Sequence, residues 1–261
     1  MTEDSGRARE LARELLGSAD RIAVLSGAGV SAESGVPTFR GPGGLWKSFR
    51  PEELATPEAF ARDARLVWEW YAWRRGLVAE CRPNAAHLAL ARLALDRPGR
   101  TTIVTQNVDG LHHRAAREAA DRLGIAPDPA HPLEVHGAIH RDKCSGCGTL
   151  DESPREVDAT DLSTLPRCAA CGALMRPDVV WFGEPLDPDV IGAAFAAARA
   201  ADVCLVVGTS ALVHPAASVP EVTLQSGGRV VEVNLEPTPL SAYATVSLLG
   251  PAGEIVPGIL A

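Results

Sequence analysis

Several features that define other classes of protein are missing from this chain of 261 residues. No apolar run approaches the roughly 18 residues that a membrane-spanning helix needs, so no association with a membrane is expected. The N-terminal residues 1–17 are charged and lack the apolar centre of a signal peptide, which favours a cytoplasmic location. Acidic residues outnumber lysine and arginine by 33 to 25, giving a formal net charge of −8. A chain without a basic surface is not expected to bind nucleic acid directly.

Cysteine is also scarce, and its distribution predicts a metal site rather than disulfide bonds. Four of the six cysteines form two pairs, Cys144-x-x-Cys147 and Cys168-x-x-Cys171, with twenty residues between the pairs. In an acidic chain without a signal peptide, such pairs favour a reducing compartment and a zinc site with four cysteine ligands. All four ligands come from the protein, so no coordination position remains for a substrate or an activated water. The zinc is therefore expected to be structural.

The segment around these cysteines has little apolar surface of its own. Residues 151–166 are polar and acidic, so a bound metal is expected to compensate for a missing core. We therefore predict a small zinc-binding domain over residues 141–176. The remaining cysteines, Cys81 and Cys204, are single and far apart, and Cys204 lies in an apolar run that indicates a buried strand.

The rest of the chain alternates short apolar runs with helical patterns, which predicts an α/β fold with a doubly wound, Rossmann-like parallel sheet. Continuous apolar runs are typical of strands that are covered on both faces. Predicted strands span residues 21–26, 101–105, 203–207 and 229–233, and predicted helices span residues 7–16, 84–95 and 188–201. A large nucleotide-binding domain is expected to comprise residues 1–40, 84–140 and 177–261, with a helical, aromatic-rich module inserted at 41–83.

A glycine-rich loop directly follows the first predicted strand. Gly27, Gly29 and Ala32 match the Gly-x-Gly-x-x-Ala pattern, whose glycines allow a tight turn and let backbone N–H groups approach a pyrophosphate. By itself this pattern is also common in ordinary strand-to-helix turns. Its continuation to Trp46 is rich in glycine and proline and contains an arginine and an aromatic residue, which is typical of a loop that closes over a ligand.

Seven motifs occur in a fixed order from about residue 10 to the C-terminus, and together they resemble those of the sirtuins, a family of NAD-dependent protein lysine deacylases. The motifs are GAGVSAESGVPTFRG from Gly27, TQNVDGLH from Thr105, EVHG from Glu134, the four cysteines, VWFGE from Val180, GTS from Gly208 and VNLE from Val233. The resemblance implies that the cofactors are NAD and zinc.

The resemblance also implies a role for individual residues. His136 is the implied general base, since histidine titrates near neutral pH, and Asn107 and Asp109 are implied to line the nicotinamide pocket as the rest of the catalytic set. Helix capping is the alternative for Asn107 and Asp109. Phe39 would shield the ribose C1′ from water, and Arg40 would reach towards the phosphates. The implied NAD-binding residues are Gly27, Ala28, Gly29, Ser31, Glu33, Pro37, Thr38, Phe39, Arg40, Trp46, Gln106, Asn107, Asp109, Gly208, Thr209, Ser210, Asn234, Leu235, Glu236 and Ala252.

The segment at residues 180–184 is implied to bind the substrate. The resemblance predicts that Val180, Trp181, Phe182, Gly183 and Glu184 pair with an acyl-lysine protein substrate bound as an extended peptide. The same five residues also fit a buried strand.

A tyrosine and an arginine three residues apart on a predicted helix indicate which acyl group is bound. Tyr71 and Arg74 share one helix face and can clamp a carboxylate, since arginine offers a planar fork of donors and tyrosine adds another. Sirtuins of the class III type carry this pair together with a small residue that matches Ala55. The alternative is a core tyrosine beside an ordinary surface arginine.

The predicted activity is NAD-dependent removal of acyl groups from protein lysines, which gives nicotinamide and 2′-O-acyl-ADP-ribose. Succinyl, malonyl and glutaryl groups are favoured, and acetyl is possible. Mono-ADP-ribosyl transfer is the alternative. A Rossmann dehydrogenase would need an acidic residue about 20 positions after the glycines, where this chain has the aromatic module. The link between the TQNVDGLH and EVHG motifs, residues 117–132, is longer than is usual in the family and is expected to bulge as a surface loop. The sequence leaves the oligomeric state open.

Overall fold

A six-stranded parallel sheet organises the larger part of the chain. The computed structural model describes residues 2–37, 49–125, 127, 132–152 and 156–261. The strands are β1 (Ile22–Ser26), β2 (Thr101–Thr105), β3 (Leu133–Glu134), β4 (Gly137–Cys144), β5 (Leu150–Asp151), β6 (Met175–Val179), β7 (Val203–Val207), β8 (Arg229–Asn234) and β9 (Val246–Leu249). The α-helices are α1 (Thr2–Ser18), α2 (Ala28–Ala32), α3 (Pro51–Leu54), α4 (Pro57–Arg62), α5 (Ala64–Glu80), α6 (Ala85–Asp96), α7 (Leu111–Leu123), α8 (Pro188–Ala200), α9 (Val219–Gln225) and α10 (Ala252–Leu260).

The order of the strands in this sheet is β3-β2-β1-β7-β8-β9, and every pair is parallel. At its centre, Val24 of β1 lies between Ile103 of β2 and Leu205 of β7. The strands that follow β1 are therefore added first on one side of it, as β2 and β3, and later on its other side, as β7, β8 and β9. This arrangement confirms the doubly wound, Rossmann-like fold.

Helices cover both faces of the sheet, because alternate residues of each central strand are apolar on both sides. Ile22 and Val24 pack in a cluster with Leu16 of α1, Leu90 of α6 and Ile255 of α10. Ala23 and Leu25 pack on the opposite face with residues of α8. The two edge strands β3 and β9 were not predicted, since β3 has two residues and β9 lacks a continuous apolar run.

A second, smaller apolar core lies outside the parallel sheet. It combines buried residues of α3 to α5, such as Trp68 and Tyr71, with Ile139 and Met175 from an antiparallel sheet in the order β5-β4-β6. The helical module and the zinc-binding segment, predicted as two separate inserts, thus pack against each other. The small sheet spans residues 137–179, slightly beyond the predicted limits of 141–176. The domain bounds themselves stay a prediction.

The prediction of a loop over residues 117–132 is wrong in its first half. Residues 117–123 continue α7, whose end is marked by Gly124 in the left-handed region at φ +65°. Alanine, arginine and leucine favour a helix, so the turn begins only at the glycine. Within the described ranges, no helix is long and apolar enough to cross a bilayer.

Candidate active site and metal site

Polar residues gather where β1, β2, β7 and β8 end, at the point where the strand order reverses. Nucleotides bind at such a switch point in doubly wound sheets. Gln106 Nε2 donates to Thr209 Oγ1 at 2.8 Å, and Asn234 Nδ2 donates to the Thr209 carbonyl at 2.8 Å. Residues predicted from three distant motifs are therefore joined by direct hydrogen bonds.

The glycines after β1 pack against the glycine after β7. A Cβ on Gly29 would lie 2.8 Å from the Gly208 Cα, and a Cβ on Gly208 would lie 2.3 Å from the Val30 nitrogen. The Gly29 N–H already donates to Gly208 O at 2.8 Å, and the Gly27 N–H donates to Val207 O at 3.0 Å. Because these two N–H groups are used inside the protein, Gly27 and Gly29 serve close packing of two loops, and the approach of other backbone N–H groups of the loop to a pyrophosphate stays a prediction.

A buried polar network lies beneath this loop. Ser31 Oγ donates to Asp109 Oδ2 at 2.8 Å, and Asn107 Nδ2 donates to Ser31 Oγ at 3.1 Å and to Gly27 O at 3.1 Å. The Leu111 N–H donates to Asp109 Oδ1 at 2.9 Å. Burial raises the pKa of Asp109, while the hydrogen bonds from Leu111 and Ser31 lower it in part. Asp109 therefore accepts from the first N–H group of α7, as the capping alternative expects, and its role in a nicotinamide pocket stays a prediction.

His87, which the sequence analysis did not single out, belongs to the same network. Asn84 caps α6 by accepting from the Ala86 and His87 N–H groups at 3.0 and 3.3 Å. The Asn84 N–H donates to His87 Nδ1 at 3.3 Å, so Nε2 carries the proton and donates to Ser31 Oγ at 3.3 Å. Burial lowers the pKa of His87 to about 4, which keeps the ring neutral. Its position three residues after a capping asparagine was the available signal.

His112 forms a second buried contact at the end of β1. Its Nε2 lies 2.8 Å from Ser26 Oγ, which donates to Thr105 Oγ1 at 2.9 Å. Burial, with smaller effects of His87 and His113, lowers the pKa of His112 well below its ordinary value. Among the described residues, no partner lies within hydrogen-bonding distance of His112 Nδ1. His112 is therefore structural, as expected.

His136, the predicted base, follows β3 and is half-buried. Its Nδ1 lies 3.0 Å from the Gln106 carbonyl, which can only accept, so Nδ1 carries the proton and Nε2 keeps its lone pair. Burial lowers the pKa of His136, and the hydrogen bond to Gln106 raises it in part. The carbonyl of His136 also accepts from the Val180 N–H at 3.0 Å. The predicted base and the predicted peptide-binding segment are therefore neighbours.

Residues 180–184 do not form a strand, because β6 ends at Val179. They form a turn in which Glu184 Oε2 accepts from the Trp181 N–H at 2.8 Å. Arg176 holds the same carboxylate through both of its terminal nitrogens, at 2.5 and 2.8 Å. The Glu184 side chain therefore shapes the turn from within, and Phe182 projects into solvent.

The predicted acyl-binding pair lies on one face of α5. Tyr71 is fully buried, and the guanidinium carbon of Arg74 lies 5.7 Å from the Tyr71 ring centroid and 4.9 Å from that of Trp70. Ala55 is buried nearby, and its carbonyl accepts from the Phe182 N–H at 2.9 Å. Burial lowers the pKa of Arg74, which neighbouring Tyr71 and Asp109 raise in part. The pair is thus close to the turn at residues 180–184 and to Asp109.

At the opposite end of the site, Glu33 lies beside the start of α10. Its carboxylate accepts from the Gly253 N–H at 2.6 Å, next to Ala252. Leu235 and Glu236 are exposed, and Ser210 and Asn234 are half-buried. Pro37 is exposed, whereas Thr38, Phe39, Arg40 and Trp46 lie outside the described residues.

Glu232, a buried glutamate that sequence reasoning missed, supports the end of the site next to Asn234. Glu232 on β8 accepts hydrogen bonds from the hydroxyl groups of Thr238, Ser241 and Ser247, the last two at 2.5 and 2.8 Å. These bonds tie the 3₁₀ turn Pro239–Ala242 to the strand that leads into Asn234. A glutamate in an apolar run was the available signal, since buried carboxylates need partners.

The four cysteines of the two pairs converge. Their sulfur atoms all lie within 4.8 Å of one another, with 3.4 Å between Cys144 and Cys171 and 3.6 Å between Cys147 and Cys168. A tetrahedral zinc with bonds of about 2.3 Å requires sulfur separations of about 3.8 Å. A Cβ on Gly146 would lie 2.9 Å from the Ala173 Cβ, so this tight turn requires glycine. The donor set fits a structural zinc with no open position.

Comparisons with known proteins agree with this geometry. A model described as the Sir2 family matches residues 27–215. The NAD-dependent protein deacylase of Pyrococcus abyssi is 49% identical over 254 residues, which cover 96% of each chain. A solved complex of a Sir2 homologue with NAD shares 43% identity and a TM-score of 0.83, covering 96% of this chain and 92% of that one. A solved complex of Sir2 with a p53 peptide and NAD shares 30% identity and a TM-score of 0.77, covering 93% of each chain.

Proposed function

The chain belongs to the Sir2 family, as a class III type NAD-dependent protein deacylase, and we propose that it prefers acyl-lysines whose acyl group ends in a carboxylate. Succinyl, malonyl and glutaryl groups share this chemistry. Protein substrates carrying acyl-lysine bind between the parallel sheet and the smaller lobe. The acyl preference, the cytoplasmic location and the product 2′-O-acyl-ADP-ribose are part of the proposal.

The observation that carries the proposal is the position of Tyr71 and Arg74. They lie on one face of α5, within 5.7 Å of each other as measured from guanidinium carbon to ring centroid. The Arg74 charge lowers the pKa of Tyr71 in part, and Tyr71 raises that of Arg74 in part, so the two polar groups interact electrostatically. A guanidinium fork and a phenol side by side are suited to a carboxylate.

A half-buried cation also argues against a pocket that is specific for acetyl-lysine. Removing a guanidinium from water has a free-energy cost that a neutral acetyl group offsets poorly. A carboxylate brings a compensating charge and accepts hydrogen bonds from both Arg74 and Tyr71. Ala55 leaves more room than a bulkier residue would, which supports a longer acyl chain.

The residues at the strand ends suit cleavage of NAD. When bound, NAD supplies an activated ribose C1′ with nicotinamide as the leaving group. Asn107 already donates both of its amide hydrogen bonds, to Gly27 O and Ser31 Oγ, so its Oδ1 is the atom that can accept from a carboxamide. Asp109, fixed by Leu111 and Ser31, adds a carboxylate beside it.

His136 has the geometry of a general base for a ribose hydroxyl. Its Nδ1 proton is committed to the Gln106 carbonyl, so Nε2 is free to accept a proton. Gln106 in turn is held by Thr209, so the base is oriented by the loops that contact the dinucleotide. The zinc ligands lie in the other lobe and take no part in this proton transfer.

The test compares kcat/KM for acetyl-, succinyl- and glutaryl-lysine versions of one peptide. The wild-type protein should favour the two acidic acyl groups. Tyr71→Phe combined with Arg74→Met should lower the succinyl-to-acetyl ratio of kcat/KM by about 100-fold, since two charge-assisted hydrogen bonds are lost.

Arg92→Met is the matched control, because it removes an exposed arginine that pairs with Asp96 on α6, and it should leave the ratio unchanged. Equal losses on both peptides in the double variant would refute the clamp. Mass spectrometry of the products separates 2′-O-acyl-ADP-ribose from ADP-ribosylated protein, which would indicate mono-ADP-ribosyl transfer instead.

A further inference from the structure

The hydroxyl group of Tyr71 is held by an indole from a distant part of the chain, within the same apolar core. Trp181 Nε1 donates a hydrogen bond to Tyr71 Oη at 2.9 Å, and both side chains are buried. Within the described part of the chain, this is the one hydrogen bond of the phenol. An indole can only donate, so it occupies a lone pair of the phenol oxygen and leaves the phenol proton directed elsewhere.

The indole itself packs against two side chains. The ring centroids of Phe60 and Trp181 are 5.3 Å apart. Arg176, on β6 of the small antiparallel sheet, has its guanidinium carbon 3.3 Å from the ring centroid of Trp181. Arg176 is anchored by Glu184 and by the Val179 carbonyl at 2.7 Å. Since Glu184 also accepts from the Trp181 N–H, both the backbone and the ring of Trp181 are held in one orientation.

A phenol that rotates freely can present either a proton or a lone pair to an approaching group. A lone pair repels a carboxylate, so only one of these orientations helps to bind an acidic acyl group. The bond from Trp181 removes the unproductive orientation before the substrate arrives, and preorganised donors lose less entropy on binding. A neutral acetyl group has no carboxylate and gains nothing from this arrangement.

We propose that Trp181 is a positioning residue for acyl specificity, whose indole N–H commits the Tyr71 hydroxyl to donating towards a terminal carboxylate of the acyl group. This inference rests on the proposed function, because it needs Tyr71 and Arg74 to bind that carboxylate. It gives the indole a role apart from the backbone pairing expected of residues 180–184.

The test is Trp181→Phe, which keeps an aromatic ring between Phe60 and Arg176 and removes the N–H. The KM for a succinyl-lysine peptide should rise about tenfold, with a smaller change in kcat, because a contact remote from the reacting carbonyl affects ground state and transition state alike. The succinyl-to-acetyl ratio of kcat/KM should fall by the same factor. An unchanged ratio would overturn the inference.

Trp68→Phe is a closely matched control. Trp68 is fully buried on the same helix as Tyr71, donates its indole N–H to Met175 O at 2.9 Å, and has the Arg75 guanidinium 5.1 Å from its ring centroid. Its variant loses an equivalent indole hydrogen bond without touching the phenol. A fall of the ratio in Trp68→Phe as large as that in Trp181→Phe would attribute the effect to general loosening and overturn the inference.

A double-variant cycle separates this inference from the proposed function. In a Tyr71→Phe background, Trp181→Phe should produce no further fall of the ratio, since the hydroxyl that it positions is gone; a further tenfold fall would overturn the inference. If Tyr71→Phe and Arg74→Met leave the ratio unchanged, the clamp itself fails. If they lower it and Trp181→Phe does not, only the inference fails.

A measurement on the unaltered indole covers the case in which Trp181→Phe does not fold. The ¹⁵N–¹H resonance of the Trp181 indole, assigned by its change in Tyr71→Phe, should shift on binding a succinyl-lysine peptide and move little with the acetyl-lysine peptide. Equal shifts with both peptides would contradict the proposed positioning.

Discussion

The orientation of His136 determines which of its two nitrogens can take a proton. The Gln106 carbonyl fixes the Nδ1–H tautomer, and the backbone bond from Val180 places the substrate segment beside the ring. Burial lowers the pKa of His136, so the ring is neutral over a wider range of pH than a solvated histidine. Both effects favour a general base.

We expect the acid limb of the kcat/KM profile to lie below pH 6.5, the ordinary pKa of histidine. A general base acts in its neutral form, so activity is lost as the pH falls through the lowered pKa of His136. The measurement uses an acetyl-lysine peptide, which has no titrating acyl carboxylate, at constant ionic strength. An acid limb above 6.5 would show that another group limits the reaction or that His136 is not desolvated.

We also expect His136→Ala to lower kcat by about 100- to 10,000-fold, the usual contribution of a general base. The fold should persist, because the side chain is half-buried and makes one hydrogen bond, to Gln106. Circular dichroism and the thermal midpoint check the fold. His214→Ala, at an exposed histidine bonded to Ser218, is the control and should retain wild-type kcat.

At the level of elements, one buried cation fixes helix α5 against strand β4. Arg75 donates to the Ile139 carbonyl at 2.6 Å, to the Arg141 carbonyl at 3.2 Å and to the Asp142 carboxylate at 2.6 Å. Helix α5 carries the acyl clamp and β4 begins directly after His136. Arg75 therefore helps to set the position of the proposed clamp, Tyr71 and Arg74, relative to the proposed base, His136.

Arg75→Met should destabilise the protein by roughly 3–5 kcal/mol, because it leaves the buried Asp142 carboxylate without this cation. The free energy of unfolding in urea is the measurement. Arg92→Met removes an ion pair whose partners are about half exposed and should cost less than about 1 kcal/mol. Similar losses in the two variants would show that the Arg75 pair is not a structural anchor.

At the level of the whole molecule, the zinc ligands and the proposed acyl-binding residue Tyr71 share one apolar core. Cys144 and Cys168 are buried in the same cluster as Trp68, Tyr71 and Trp181. The parallel sheet has separate clusters on its two faces. Loss of the metal should therefore disturb acyl-lysine binding as well as the cysteine segment.

Chelation of zinc should unfold the smaller lobe and abolish deacylation, since structural zinc contributes directly to folding free energy. Tryptophan fluorescence reports the loss, because Trp68 and Trp181 lie in the affected core. Cys147→Ser should weaken zinc retention, and Cys204→Ala in the parallel sheet is the control that retains the metal. Full activity after verified metal removal would contradict a structural role.

Much of the fold and part of the site could be predicted from local patterns. The buried strands, the cap at Asn84 and the pairing of Tyr71 with Arg74 follow from residues close in the chain. The cysteine spacing predicted the metal site for the same reason. Predictions were weaker where they depended on the usual length of a link in the family, as for the helical residues 117–123, or on a short apolar run, as for the turn at residues 180–184.

The sequence by itself determined the family and its cofactors, NAD and zinc, because these depend on motifs with a narrow spacing. The individual dinucleotide-binding residues stay a prediction. Only the tertiary structure decided how these parts cooperate. The Trp181–Tyr71 bond, the use of the Gly27 and Gly29 N–H groups for packing, and the inclusion of His87 in the polar network all join residues distant in the chain. Such contacts exist only after the sheet and the smaller lobe have packed, so no local pattern encodes them.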